Sequence, residues 1–598
     1  MSGEVVATDD VHSDGEPAGT AGWLARRVRA DESGLALVWM TLFLMVLLGF
    51  AAIAVDIGHG YQVAQRAQNT ADAAALAGTV YLPGNVATAY STAQTIASAN
   101  GFTNSPVNGV QVIPEQQTKL SQLKVTVKQS VKTWFAKAIG FGTMDISRSA
   151  IADYAPPIAM GSPNPQYGND PESGCAPASS SCTLYPNLWG NVSAHGSTKQ
   201  SGDAYTSGDC GGTPDNCSGS NSDLDPNGYY YDVHFNSAAT VKVQVFDPGF
   251  VAVGDFCEAG GQPSYYADLK TAALAAKPAG WPVGVTFNGS ARYAPEGSTT
   301  DSPSTSNPGT RCCTGDQPFD APGGVAQNMP STTYTVLGPS ALPGQPSTAS
   351  PTVGCNQQVF PGVGGSPGKT IAQQLANGTK ISVSPTPQYL AAYFRQWYTM
   401  CTITGAANSD YFLQINGDAN GKGHNRFAIR ASGGAAGAVS VYGNAKMAIY
   451  ANAGSGVLTQ FYLTRIPSND QGHVLDLFLF DIGDAGSGVT GSLQVVAPTD
   501  ATGAAIGPCT YTAPPGNSTG PPWGTDSLMS SCTISGVSSA NYQGQWIEIK
   551  IPIPSSYGCL DSSPTGCWFR INYLFNGTVN DTTSWAAQLE GDPVRIVK

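Results

Sequence analysis

The chain opens its folded part with a block in which hydrophobic and polar positions do not alternate at all. Positions 34–55, GLALVWMTLFLMVLLGFAAIAV, are 22 residues without a charge, directly after Arg26, Arg27 and Arg29. A helix rising about 1.5 Å per residue carries such a run across about 33 Å, enough for a hydrocarbon core of about 30 Å. The pattern predicts one membrane-spanning anchor over 31–57. Arginines on its N-terminal side, set against no Lys or Arg beyond it until Arg66, orient the N-terminus to the cytoplasm and the bulk of the chain to the extracytoplasmic side or cell surface. Ala52-Ile53-Ala54 also satisfies the small-x-small pattern for cleavage after Ala54. Signal cores of roughly 7–15 residues are shorter than this run, so the reading is a retained anchor.

Past the anchor the period changes twice. Ile57–Gly78 is alanine-rich, with Ala64, Ala67, Ala71, Ala74, Ala75 and Gly78 at helical spacing, a thin stripe that admits the close approach of another backbone. A second helix is expected near Ala87–Ala99. Two β-branched segments, Leu123–Val131 and Asp145–Ala152, flank a short amphipathic helix at Thr133–Ile139. Residues 58–155 thus read as a small α+β domain on a helical stalk. Residues 156–225 are rich in Gly, Ser, Asn and Pro and read as a linker.

Two later blocks share one pattern, Tyr229–Gly249 and Phe461–Gly483: an aromatic strand, a polar turn, then alternation of period two ending in Phe246-Asp247 and Phe480-Asp481. Alternation of this kind suits half-buried antiparallel strands. They predict β-sandwich modules at 226–345 and 400–598, joined by a connecting segment at 346–399. Further strands in the second are expected at Tyr411–Ile415, Arg426–Ala431, Gln545–Ile553 and Trp568–Phe575. The fold class is therefore multi-domain: an N-terminal transmembrane helix, a small α+β domain, then mainly β.

Composition adds compartment and exclusions. Residues 1–22 carry five acids and no Lys or Arg, which reads with the arginine cluster as a disordered cytoplasmic tail over 1–30. A net charge of −13 offers no basic patch for phosphates, so no nucleic-acid partner is expected. All 13 cysteines fall between Cys175 and Cys567, as an oxidising exterior would have it. Cys175/Cys182, Cys210/Cys217 and Cys559/Cys567 are spaced for short disulfide loops. Adjacent Cys312 and Cys313 should bond to different partners, and the odd total leaves one thiol over.

The order of arginines, apolar run, Asp56-x-Gly58 and then AQNTADAAALAG (Ala67–Gly78) resembles the N-terminal segment of TadG-like proteins of the Flp/Tad pilus assembly system. The stretch Val125–Tyr154 is similar to the second half of that family's membrane-proximal domain, so the resemblance covers about 30–155. Ala67 stands where the family usually has Leu, and the von Willebrand A domain many members carry next is not visible. The resemblance implies a membrane-anchored, non-enzymatic role in pilus assembly or surface attachment, with pilins, pseudopilins or other Tad components as partners. The stripe Ala67–Gly78 is the expected contact for their helical stems. The alternative is a surface adhesin or ligand-binding protein independent of pili.

Candidate chemistry is sparse. Asp223, Asp225 and Asn227 in DLDPNG fit the start of a calcium loop, with alternating oxygens and a Gly turn, although position twelve is His234 rather than Glu. An Asx-rich turn is the competing reading; no cofactor is expected to be required, and calcium is the one suggested. Asn416, Asp418 and Asn420 repeat the offsets with one carboxylate. Val359–Leu375 misses phosphate-loop spacing, with Val363 where Gly is needed. Gly364-x-Ser366-x-Gly368 lacks supporting Asp and His patterns, and Asp561-x-Ser563-x-Thr565 lies inside a Cys loop. No catalytic constellation emerges, and no enzyme is expected.

Overall fold

In a computed structural model of the chain the described residues are 25–82, 85–118, 121–154, 157–169, 188–212, 217–247, 331–339, 344–346, 349–355, 357–360, 397–419, 421–483, 485–503, 506, 508–512, 527–529, 531–577, 579–590 and 594–597, with side chains from residue 34 onward except at 212, 452, 527, 528, 580 and 595. Helix α1 (Ala25–Thr79) runs without a break from the arginine cluster through the apolar run and the alanine stripe. From Gly34 to Val55 its side chains are exposed on every side apart from half-buried Ala52, as fits a membrane anchor. From Asp56 on, one face turns inward.

That inward face builds the small domain. Helix α2 (Val86–Ala99) is capped by Asn85, whose side-chain oxygen accepts from the Thr88 N–H at 3.0 Å, and its Ala89, Ala93 and Ala97 point at α1. Strands β1 (Val110–Gln116), β2 (Gln122–Lys132) and β3 (Thr143–Tyr154) form an antiparallel meander against both helices. The short helix between β2 and β3 is a 3-10 turn at Ala136–Ile139. Leu123, Val125, Val127, Ala150 and Ala152 of the sheet meet Ala67, Ala71, Ala74 and Ala75 of the helix, all fully buried. Small side chains on one partner and branched ones on the other allow this near approach. A side chain at Gly78 would place its Cβ 2.5 Å from Leu123 and 2.7 Å from the Ala89 carbonyl oxygen.

The chain then builds a sandwich of two large antiparallel sheets. Its first half supplies β4 (Ala159–Met160), β5 (Gln166–Tyr167), β6 (Leu188–Ser193), a small hairpin of β7 (Asp209–Gly212) and β8 (Cys217–Ser220), β9 (Tyr229–Phe235), β10 (Ala239–Phe246), β11 (Thr332–Leu337), β12 (Gln358–Phe360), β13 (Trp397–Gly405), β14 (Ser409–Gly417) and β15 (His424–Ser432). The second half supplies β16 (Val439–Asn444), β17 (Lys446–Ala453), β18 (Thr459–Arg465), β19 (Val474–Phe480), β20 (Gly491–Val496), β21 (Cys509–Thr512), β22 (Ser527–Met529), β23 (Thr533–Val537), β24 (Trp546–Pro552), β25 (Trp568–Phe575) and β26 (Val579–Leu589). Strand β27 (Val594–Ile596) returns to the small domain and pairs with β3, so the sandwich is tied at both ends to the membrane-proximal sheet.

One sheet runs β12-β11-β14-β9-β16-β4-β18-β25-β20-β23, the other β13-β10-β15-β6-β17-β26-β19-β24 with β21 and β22 beyond and β5 beside β15. Read inward from its two ends, the first sheet presents one succession twice: β12 matches β23, β11 matches β20, β14 matches β25 and β9 matches β18; the second does likewise once β21 and β22 are set aside, β13 matching β24 through β6 matching β17. The matched strands also occur in the same order along the chain, which makes the sandwich a tandem repeat. At the centre the halves exchange a strand, since β16 of the second pairs with β9 of the first while β4 of the first pairs with β18 of the second. The equivalence of Phe246 and Phe480 is visible in the register: Phe246 faces Trp397, and Phe480 faces Trp546.

Two expected boundaries differ from this. Strands β9 to β11 pair with β13 to β16 across the segment placed at 346–399, so the modules at 226–345 and 400–598 share both sheets and one apolar core. Residues 188–193, inside the expected linker, form a fully buried central strand. Among the described residues Cys210–Cys217 and Cys559–Cys567 are bridged as their spacing suggests. Cys355–Cys401 and Cys509–Cys532 close longer loops, and each ties the outer edge of one sheet to the outer strands of the other. Cys175, Cys182, Cys312 and Cys313 lie outside the described residues, as do the tail over 1–24 and the Gly364–Gly368 motif.

Candidate functional site

A buried carboxylate fixes the junction where α1 leaves its apolar run. Asp56, the first charged residue after it, is buried, and its carboxylate accepts three backbone N–H bonds, from Trp134 at 2.9 Å, Phe135 at 3.0 Å and Ala136 at 2.7 Å. One turn on, the His59 ring stacks on Trp134 with centroids 4.7 Å apart. A charged acceptor satisfied by three donors fixes the β2–β3 loop against the helix at a defined height. Above this junction α1 and β3 run side by side, from Gly60 beside Met144 to Thr79, whose hydroxyl donates to the Ser121 and Ala152 carbonyls.

The alanine stripe is consumed by this packing. Ala67, Ala71, Ala74 and Ala75 are 0% exposed against the protein's own sheet and α2, so the expected groove for other helices is filled from within. The stripe's spacing signalled close approach correctly; the partner backbone is intramolecular.

The calcium-loop residues lie in a clasp between the two halves of the sandwich. Asp223 pairs with the Lys199 ammonium at 2.9 Å and accepts from the Trp546 indole N–H at 3.1 Å. Asp225 is bonded by Lys446, and the Asn227 N–H donates to Asp225 at 2.9 Å. Burial pushes the Asp225 carboxyl up, but the Lys446 and Asn227 hydrogen bonds outweigh it and hold the group below the usual carboxylate range. Lys199 itself lies over the Phe480 ring at 5.0 Å. A cation entering this loop would have to displace two ammonium groups from the two carboxylates. The second loop lies alongside, its Asn416 amide donating to the Pro226 carbonyl at 2.7 Å, with Asp418 accepting a Ser331 hydroxyl at 3.4 Å; Asn420 is outside the described residues. Asp561, Ser563 and Thr565 sit inside the Cys559–Cys567 loop, where Asp561 accepts the Ser468 N–H.

Beneath the clasp Asp203, fully buried, accepts from the Asn191 amide, the Ser193, Tyr205 and Thr206 N–H groups, the Thr206 hydroxyl and the Tyr229 hydroxyl. Gly202 has a left-handed φ of 95° and rests on the Thr582 carbonyl, a contact that leaves no room for a Cβ. The Ser193 hydroxyl lies 2.6 Å from His424 Nδ1, but both residues are buried, which withholds the pair from solvent. Burial, with nearby Arg426 adding to it, pulls His424 down to about 3. Its folded pKa is depressed, so the unfolded chain binds the proton first and stability falls as the pH drops below about 6.5, by at most about 1.4 kcal/mol per unit. Asp232, raised by burial and by Asp410, works in the opposite direction. The difference between denaturant midpoints of the unmodified protein and His424→Gln should therefore shrink as the pH falls from about 7 to about 4. A constant difference would remove the neutral buried histidine from the account.

Sequence reasoning noted Asp56 without giving it a partner, and missed Asp203. The signal for the first was available, a lone acid ending an uncharged run; Asp203 had none, because its donors are scattered from Asn191 to Tyr229.

Residues 34–94 match the family model described as putative Flp pilus-assembly TadE/G-like. The match takes in the apolar run, the alanine stripe and the first part of α2, and ties the chain to the Flp/Tad pilus machinery in general terms. No curated protein and no solved structure matches the chain.

Proposed function

We propose that this chain, whose α1 segment is TadE/G-like, is a single-pass membrane component of a Flp/Tad pilus system, non-enzymatic, displaying its sandwich outside the membrane for assembly or surface attachment. The observation that carries the reading is the coincidence of the matched segment with one unbroken helix that is apolar on all sides and then becomes the spine of a folded domain. The arginines before the run keep the N-terminus cytoplasmic. With the alanine stripe used internally, contact with pilins or pseudopilins falls to the exposed surface of 34–55 and to the outer faces of the folded domains.

Two measurements test this. A thiol placed at exposed Ser455 should react with a membrane-impermeant maleimide on intact cells while one at Ser13 should not; reaction at Ser13 alone would reverse the orientation. Removing the gene should strip Flp pili from the cell surface in electron micrographs. Normal piliation in the deletion would reject a required assembly role.

A further inference from the structure

Among the described residues the largely exposed aromatic side chains do not lie on the sandwich. They fall on α1 and on the β2–β3 loop, where Trp134 is 61% exposed, Phe135 50% and Phe141 67%, with Ile139 at 64% beside them. Four large apolar groups in eight residues are costly to leave in water on a domain this small. The loop is not loose: Thr133 donates its hydroxyl to the Phe141 carbonyl, and Asp56 fastens the N-terminal side of the 3-10 turn.

Asp56 also sets the loop's height. It follows Val55, the last residue of the apolar run, so the loop is held within about one helical turn, roughly 5 Å, of the level at which hydrocarbon gives way to headgroups. Tryptophan beside a membrane helix favours that layer, where its apolar body and its indole N–H are both accommodated, and phenylalanine and isoleucine next to it bury apolar area at the headgroup–acyl boundary. The charges between residues 132 and 142 are Lys132 and Lys137, both exposed and both of the sign that anionic headgroups attract. The Asp56 carboxylate, which would be poorly placed at this depth alone, is satisfied by three N–H donors.

We propose that the β2–β3 loop is a second membrane contact, seating Trp134, Phe135, Ile139 and Phe141 in the phospholipid interface at which α1 emerges. The proposal rests on the anchor reading. Two contacts held at one height would limit the tilt of the domain on its helix, and with β27 tying the sandwich back to β3, would orient the whole exterior relative to the bilayer.

The test uses the full chain in vesicles of phosphatidylcholine and phosphatidylglycerol, with the photoreactive residue benzoylphenylalanine placed singly at Phe141, at Ile139, at Phe43 within the apolar run, or at Leu560, 60% exposed on the sandwich. After irradiation, lipid adducts at 141 and 139 should exceed those at 560 by about tenfold or more, as for side chains seated in an interface. Adducts at 43 with none above the Leu560 level at 141 and 139, or cross-links there only to a second copy of the chain, would overturn the loop contact and leave the anchor standing. Loss of adducts at 43 as well would overturn the anchor, and the loop contact with it.

Discussion

Replacing Ala71 and Ala74 together by leucine should unfold the membrane-proximal domain. Both positions are fully buried between α1, α2 and the sheet, and the neighbouring Cβ positions leave no slack, as Gly78 beside Leu123 shows. Overpacking of this kind costs about 1–3 kcal/mol per site, and two sites one turn apart strain the same contacts, against a total stability of about 5–15 kcal/mol for a domain. Leucine is nearly as good a helix former as alanine, so helix propensity is not the cause. The expected result is rapid proteolysis between residues 58 and 154 and low abundance of the full chain, with Asn69→Leu, on the exposed side of the same helix, behaving like the unmodified protein. Normal abundance with lost pili would instead restore the stripe as a groove for partner helices.

This outcome bears on what was legible in the sequence. Helical spacing of small residues at Ala64–Gly78 announces that a backbone comes close, and the period-two alternation at Leu123–Val131 announces a half-buried strand; it takes three dimensions to bring the two announcements together. The repeat was legible for a different reason. Phe246-Asp247 and Phe480-Asp481 end equivalent strands, and aromatic partners recur across the register at Trp397 and Trp546. The exchange of β4 and β16 was not legible, because two and six residues of ordinary strand composition do not say which half they will join. Nor was β6: LWGNVS reads as loop because its Asn and Ser are polar, and such residues enter a core when partners remote in sequence bond them, as Asp203 does for the Asn191 amide and His424 for the Ser193 hydroxyl. For the calcium loop the motif fixed the presence of a turn, while Lys199 and Lys446, remote in sequence, decide where its carboxylates point.

Asp203 is where that dependence on remote partners can be measured. Its two oxygens serve six donors from five residues between Asn191 and Tyr229, which ties the polar excursion after β6 back to β6 and β9 of its own half, while the adjacent Ala204 N–H donates to the Ser584 hydroxyl of β26 in the other half at 2.9 Å. Asp203→Ala leaves buried donors without an acceptor and removes the charge they surround, a loss of about 3–5 kcal/mol for a buried network broken on one side. Asp223→Ala, in the same excursion but about a third exposed, should cost about 1 kcal/mol or less, since solvent screens the Lys199 pair. Thermal unfolding of the two variants should therefore separate clearly, with Asp203→Ala lower. Hydrogen exchange should show early opening along 188–193 and 579–589, because β6 loses the carboxylate that holds its Asn191 amide and Ser193 N–H, and the excursion that meets β26 through Ala204 loses the bonds that fix it. Equal melting for the two variants would mean that the apolar core alone joins the halves and that the polar clasp is only surface dressing on an already fixed repeat.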